Sequence, residues 1–357
     1  MKETNLTSRR GFLRSSLCLA GAASLGVAVT GKASAASRHK MLFAHTFTSA
    51  SEQYVVTGID LFKELAEKYS DGALLVDVHE GGKLGGQTEL PQKVQYGAVQ
   101  ACHVSMQNFT PYAEVYNLLD LPYLFPSTSV FNRFLSSKEF EASRFGTDPL
   151  KKGLKILPGM WTNTGFRVLC TSKRSNRPIR LLNDLKGIKL RVTNSKVEQQ
   201  TFSLTPASPV SVNWAETYQA MQQGAVDALN VGLGPLTANR IHEVVGHASR
   251  TKLSFNAHVA MVSRKWYEKL PEAVQHAIDR AAAECWEYQK REQAKADERM
   301  WKDWEAAGIQ VTDLTEDEHA QWVDAIGHQR PEWDSWKNRY GADLYEQILA
   351  YVKQAAA

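Results

Sequence analysis

The stretch Gly159–Lys173, GMWTNTGFRVLCTSK, followed after a turn-rich segment by Asn183–Asn194, NDLKGIKLRVTN, decides how the rest of the chain is read. Two short runs inside it, Phe166–Cys170 and Ile188–Val192, alternate with period two and predict strands. In the first, Phe166, Val168 and Cys170 share a face opposite Arg167; in the second, Ile188, Leu190 and Val192 oppose Lys189 and Arg191. A guanidinium on a stiff strand is a pre-oriented bidentate receptor for a carboxylate, a task lysine performs less well. Arg191, near the end of its strand, is the candidate receptor. A strand arginine also serves as a solvated or interdomain ion-pair residue, so the pattern alone leaves both readings open.

Upstream, strands predicted at Met41–His45, Ala73–Val78 and Ala98–Ser105 alternate with helical patterns at Gln53–Tyr69 and Thr88–Tyr96, which marks an α/β chain. Ligands in such sheets sit outside the carboxyl ends of strands, so Ser105, Gln107 and Asn108 are candidate pocket-lining groups. The run Gly81–Gly86, GGKLGG, lacks the Gly-Lys-Ser/Thr ending of a phosphate loop and reads as a tight turn. Downstream, Asn213–Val226 predicts a helix opening beside Trp214, a flat side chain suited to walling a pocket or filling a core. Asp227–Pro235 reads as a glycine-rich loop containing Asn230. From Leu270-Pro271 a helical pattern runs unbroken to Ala307, roughly 55 Å of helix, long enough to pack across two domains.

The formal net charge is +4, and its location matters. Lys2, Arg9, Arg10, Arg14 and Lys32, against Glu3, place all of it in the first 35 residues. The remainder is neutral, which removes the electrostatic basis for a nucleic-acid or anionic-membrane partner. Ser8-Arg9-Arg10-Gly11-Phe12-Leu13, a weakly apolar run and Ala33-Ser34-Ala35 form a twin-arginine export signal over residues 1–35, so a periplasmic chain with no membrane insertion after cleavage is expected. Cys102, Cys170 and Cys285 then remain, too scattered for a disulfide framework or a metal site, and neither metal nor cofactor is expected.

With these residues in view, the chain resembles the DctP-type extracytoplasmic solute receptors of tripartite ATP-independent periplasmic (TRAP) transporters. The resemblance is carried by GKLGGQTEL (Gly82–Leu90), LPYLF (Leu121–Phe125), Gly165-Phe166-Arg167, DLKGIKLRV (Asp184–Val192), Pro209–Ala220, Gly224-Ala225-Val226-Asp227, His242-Glu243-Val244 and Trp266-Tyr267 with Leu270-Pro271. It implies two α/β lobes hinged around a ligand cleft and braced by a long C-terminal helix. Lobe I would comprise 36–164 plus 257–296, and lobe II 165–256 plus 297–357. It further implies that Arg191 clamps a substrate carboxylate, that Arg167 supports it, and that Asn194, Trp214, Asn230 and the Ser105–Asn108 segment, with Gln107 and Asn108, line the pocket.

The chain departs from the family pattern after Asp227, where Ala228-Leu229-Asn230-Val231-Gly232 replaces the usual Gly-Gln-Glu-Asn-Pro. Val231 makes one end of the cleft more apolar, which favours a small organic acid with an apolar or aromatic part meeting Trp214 or Trp161 over a highly hydroxylated one. The expected partners are therefore an organic acid and TRAP membrane permease subunits. A ligand-sensing module feeding a membrane receptor would share this pocket. An exported enzyme is the remaining alternative, supported by the export signal but by no Gly-x-Ser-x-Gly elbow, His-Glu-x-x-His or GxGxxG motif.

Overall fold

The structure, a computed structural model, describes residues 38–356, so the predicted export signal lies outside the described residues. In chain order the strands are β1 (His39–His45), β2 (Leu74–His79), β3 (Ala101–Ser105), β4 (Leu154–Ser172) and β5 (Lys189–Val192). They continue with β6 (Ser208–Ser211), β7 (Ala228–Gly232), β8 (Val245–Arg250), β9 (Phe255–Ser263) and β10 (Gln310–Asp313). Laid side by side they run β2-β1-β3-β9-β4-β7-β5-β6, with β8 against β4 and β10 against β8. The outer pairs β1–β2, β1–β3, β5–β6 and β5–β7 are parallel, joined by helical crossovers. The antiparallel strands β9 and β4 stitch these two parallel halves together, giving the mixed α/β fold with two lobes.

β4 is the strand on which the halves turn. Through Phe166, opposite Phe255, it pairs with β9; from Arg167, opposite Gly232, it pairs with β7, and from Leu169 with β8. The change of partner follows a break in register at Gly165, whose φ of 76° is a left-handed conformation that a side chain would strain. Beyond it both faces of the strand are buried. Val168 and Cys170 pack with Met300 and Trp304, whereas Leu169 packs with Leu190 and Trp322 on the other side. In a sheet covered on both faces, alternation selects which core a side chain enters and not whether it is buried.

The long helix, Glu272–Ala306, matches the expected span and closes cores in both halves. Ile278 and Cys285 pack with Phe43 and Phe62, and Ala296, Met300 and Trp304 pack with Cys170 and Leu229. Its polar face is also anchored: Gln289 Nε2 donates to Asn163 O at 3.1 Å, and Gln293 accepts from Val56 N and donates to Tyr54 O, both at 3.0 Å. Cys102, Cys170 and Cys285 are buried as small apolar groups. Among the described residues no helix is long and apolar enough to cross a membrane.

Three expectations change. The helix expected from Gln53 begins only at Ile59 (α1, Ile59–Tyr69), because the Glu52 carboxylate takes the amides of Thr57 and Gly58 at 3.0 and 2.8 Å and holds that segment in turns. The helix expected over Asn213–Val226 is a 3-10 turn, Trp214–Glu216, followed by Thr217–Gln223. The expected Asp227–Pro235 loop is strand β7 running into the helix Leu233–Ala238. Gly232 belongs there for closeness, since a Cβ would stand 2.7 Å from that of Asn256.

Candidate functional site

β5 carries Arg191 between buried Leu190 and Val192, and Arg191 as a residue is only 3% exposed. Its Nε donates to Val212 O at 3.0 Å, and its carbon lies 5.6 Å from the centre of the half-buried Trp214 ring. Neither Nη atom has a hydrogen-bond partner among the described residues. Burial lowers its pKa to about 10, with the positive Arg167 adding to the shift and Glu198 opposing it, so the group stays charged at neutral pH.

Arg167, on β4 just past Gly165, is tied down instead. Nη1 donates to Glu198 Oε1 and to the main-chain oxygen of Asn230, both at 2.8 Å. Glu198 sits in the first turn of the helix Lys196–Ser203, whose cap Ser195 accepts the Glu198 amide. Its second oxygen takes the Thr193 amide at 2.8 Å and the Thr193 hydroxyl. The Ser195 hydroxyl donates to Asp120 Oδ2 at 2.9 Å, while Gln107 Nε2 donates to Oδ1 at 3.0 Å. Burial raises the Asp120 pKa to about 6, opposed by Arg167 and reinforced by Glu198.

Both arginines face a narrow cavity of about 30 Å³ where the two halves meet. Phe47, Gln87, Ser105 and Asn108 come from the first half, and Thr193, Trp214, Val231 and Pro235 from the second. Asn256 and His258, on β9, complete the wall. The His258 ring is 3% exposed and stacks on His103 with centroids 5.3 Å apart. Burial, with Arg167 nearby, lowers its pKa to about 3, so the imidazole is neutral.

Of the residues expected here, Arg191, Arg167, Trp214 and Asn108 line the cavity, as does Val231. Gln107 stands one layer back, on Asp120. Asn230 contributes its backbone oxygen to Arg167, with its side chain sealed in β7. Two expectations are corrected. Asn194 is exposed and accepts from the Ser211 hydroxyl at 3.1 Å, because β5 turns away before it. Trp161 is buried among Tyr116 and Phe140 in the core of the first half and lines a separate cavity there. Glu198, Asn256 and His258 were not expected; only the Ser195-x-x-Glu198 capping spacing carries a sequence signal, and it marks a helix start, not a buried anion.

Residues 43–336 match the family model described as bacterial extracellular solute-binding protein, family 7, DctP. The chain belongs to the DctP family. It is 30% identical over 306 residues to the C4-dicarboxylate-binding periplasmic protein DctP of Rhodobacter capsulatus, covering 84% of this chain and 86% of that one. Among solved structures, a TRAP periplasmic solute-binding protein from Ralstonia eutropha with bound (S)-2-acetolactate matches with a TM-score of 0.78 at 25% identity, over 88% of this chain and 99% of that one. The fold is shared equally with the sugar acid binding protein DctPAm from Advenella mimigardefordensis in complex with galactonate, TM-score 0.81, 23% identity, covering 89% and 99% of the two chains. DctP-family proteins are solute receptors and not enzymes, which removes the exported-enzyme alternative.

Proposed function

We propose that this protein is the periplasmic receptor of a TRAP transporter, capturing an organic acid through its carboxylate on Arg191 and delivering it to membrane permease subunits. The observation that carries the reading is Arg191 itself: a buried, charged side chain that lines the cavity and whose two Nη atoms have no hydrogen-bond partner among the described residues. A carboxylate supplies the matching pair of acceptors. Burying a charge without such a partner is costly, so the site is built to be completed by an anion. Arg167, held in place by Glu198, lies on the same wall as a supporting hydrogen-bond donor. Trp214 and Val231 cover the apolar part of the ligand.

The cavity walls come from both halves, so ligand entry requires the halves to part at β4 and β9, with lobe boundaries at 164/165, 256/257 and 296/297. A carboxylate bridging them favours the closed arrangement by its differential affinity, and the closed surface is what a permease recognises. The twin-arginine signal over residues 1–35 supplies the route to the periplasm. Relatives bearing galactonate and acetolactate, both carboxylates, support the ligand class. The test is a thermal-shift screen of the purified protein against monocarboxylates, dicarboxylates, sugar acids and aromatic acids. A hit at about 100 times its dissociation constant adds roughly 2.7 kcal/mol of stability, a shift of several degrees. Silence across every acid would sink the reading.

A further inference from the structure

A second cavity, of about 560 Å³, shares no lining residue with the one that holds the arginines. It lies between β4, the short helices Lys138–Ala142 and Arg144–Lys151, and the long helix. An irregularity of β4 shapes it. Ile156 stands opposite Met261 and Trp161 opposite Val259, so the four residues Leu157–Met160 span the width of Ala260 alone. A bulge of this kind bends its strand and re-aims the side chains around it. Leu157 and Met160 enter the core that also holds Phe43, while Pro158 and Gly159 line the cavity. Gly159 has a φ of 72°, and a Cβ on it would stand 3.0 Å from Ala283 Cα of the long helix, so the close approach there requires glycine.

Four rings lie on the wall: Phe140, Trp161, Tyr267 and Trp286. The two tryptophans are 2% and 3% exposed, and Phe140 meets Trp161 edge to face with centroids 5.5 Å apart, so packing fixes these rings. The polar groups among them are already matched. Arg264 pairs with Glu268 at 2.6 Å, Glu287 with Lys290 at 2.8 Å, and Lys155 with Asp279 at 3.5 Å. The Tyr267 hydroxyl donates to Asp279 at 2.7 Å, and the Ser136 and Ser137 hydroxyls donate to the carbonyl oxygens of Asn132 and Phe134 at 2.9 and 2.8 Å. Glu141, the remaining charged side chain on the wall, is exposed.

We infer that this cavity is a second binding site, separate from the acid site, and that it takes a neutral, apolar aromatic molecule. Its volume lies within the roughly 300–1,000 Å³ of small-molecule sites, and its rings offer faces and edges to another ring. A charged ligand would give up its water for a wall on which each cation already has a carboxylate. A ligand rich in hydroxyls would lose its hydrogen bonds to water and find the wall's polar groups already engaged. The site stands independently of carboxylate capture, since the two cavities have no residue in common.

The experiment is equilibrium dialysis of the purified protein at neutral pH against naphthalene, 2-naphthoate and 2-naphthylmethylammonium, one skeleton in three charge states. Naphthalene is expected to bind at one site per chain, about tenfold or more tighter than either ion. Two variants fill the cavity from different sides: Ala283→Trp, at an exposed position of the long helix, and Ser136→Trp, at the exposed end of the helix Thr128–Leu135. Each, checked for an unchanged circular dichroism spectrum, is expected to weaken naphthalene binding by about tenfold or more. Trp214→Ala, in the other cavity, is expected to leave it unchanged. Absence of naphthalene binding, an ion bound as tightly as naphthalene, affinity unmoved in the filled variants, or affinity lost in Trp214→Ala would each overturn the inference.

Discussion

Arg167 and Glu198 form a closed pair: Nη1 meets Oε1 at 2.8 Å with the two side chains 2% and 3% exposed, and Thr193 occupies the other carboxylate oxygen. Such a pair adds little to stability over an apolar substitute, yet breaking it leaves a buried charge uncompensated. Its consequence for function is that the arginine nearest the crossover of β4 is already neutralised. Arg191, one strand beyond β7, is the guanidinium left for a ligand.

Glu198→Gln is accordingly expected to destabilise the protein by about 3–5 kcal/mol, the usual result of removing one partner of a buried ion pair. It also adds a net positive charge to the cavity. In the variant that still folds, succinate should gain affinity relative to a monocarboxylate. Urea denaturation and paired titrations check both parts, and an unchanged midpoint would mean that the pair is not closed in solution.

Arg191→Ala should reduce acid binding by about 30-fold to several thousand-fold, the effect of losing a charge-assisted pair worth roughly 2–5 kcal/mol. Stability should hold or rise, since a poorly partnered buried cation disappears. Arg191→Lys should bind poorly too, because an ammonium does not offer two parallel N–H groups. Near-normal affinity of the lysine variant would make the site a point charge rather than a bidentate clamp.

How much of this was legible in the sequence depends on whether the signal is local. The end of β4 from Phe166, β5 and the long helix were, because period-two alternation and an unbroken helical pattern are properties of neighbouring residues; the first part of β4, Leu154 to Gly165, has no such alternation and was not read as a strand. β7 was missed because Gly232 reads as a breaker, whereas its reason is the close approach of Asn256 from a different strand. Trp161 and Trp214 look equivalent as isolated tryptophans. Only the packing of Tyr116 and Phe140 on the first, and the proximity of Arg191 to the second, separates them. Glu198 looks like a surface residue in a helix's first turn until the chain returns Arg167 to it from 31 residues away.

Trp214 offers a smaller effect with a clear sign. Its ring lies 5.6 Å from the Arg191 guanidinium and holds that group in the cavity wall. Trp214→Ala should weaken acid binding by about 0.5–2 kcal/mol, and Trp214→Phe by less, because phenylalanine keeps a ring face with a weaker quadrupole. Titrations with one acid across the three proteins provide the ranking. Equal affinities would show that the indole neither orients the arginine nor touches the ligand.

The last prediction concerns pH and the crossover itself. Asp297, on the long helix, accepts from Gln293 at 2.8 Å and stands where a side chain at Gly165 would come within 3.7 Å of its Oδ2. Burial raises its pKa from 3.8 to about 7, and only the Gln293 hydrogen bond opposes the shift. A carboxyl whose pKa is raised by folding stabilises the folded chain fully below its unfolded value, and that contribution is lost as pH rises through the folded value. Asp297 therefore works against folding increasingly from about pH 4 to about pH 7. Asp297→Asn, which keeps the shape and cannot ionise, should gain on the order of 1–3 kcal/mol over the native protein at pH 8 and little at pH 4. Denaturant midpoints of the two proteins between pH 4 and 8 measure the difference. A constant gap across that range would place the titration of Asp297 at its ordinary value, and with it the carboxyl in water instead of against the strand that joins the halves.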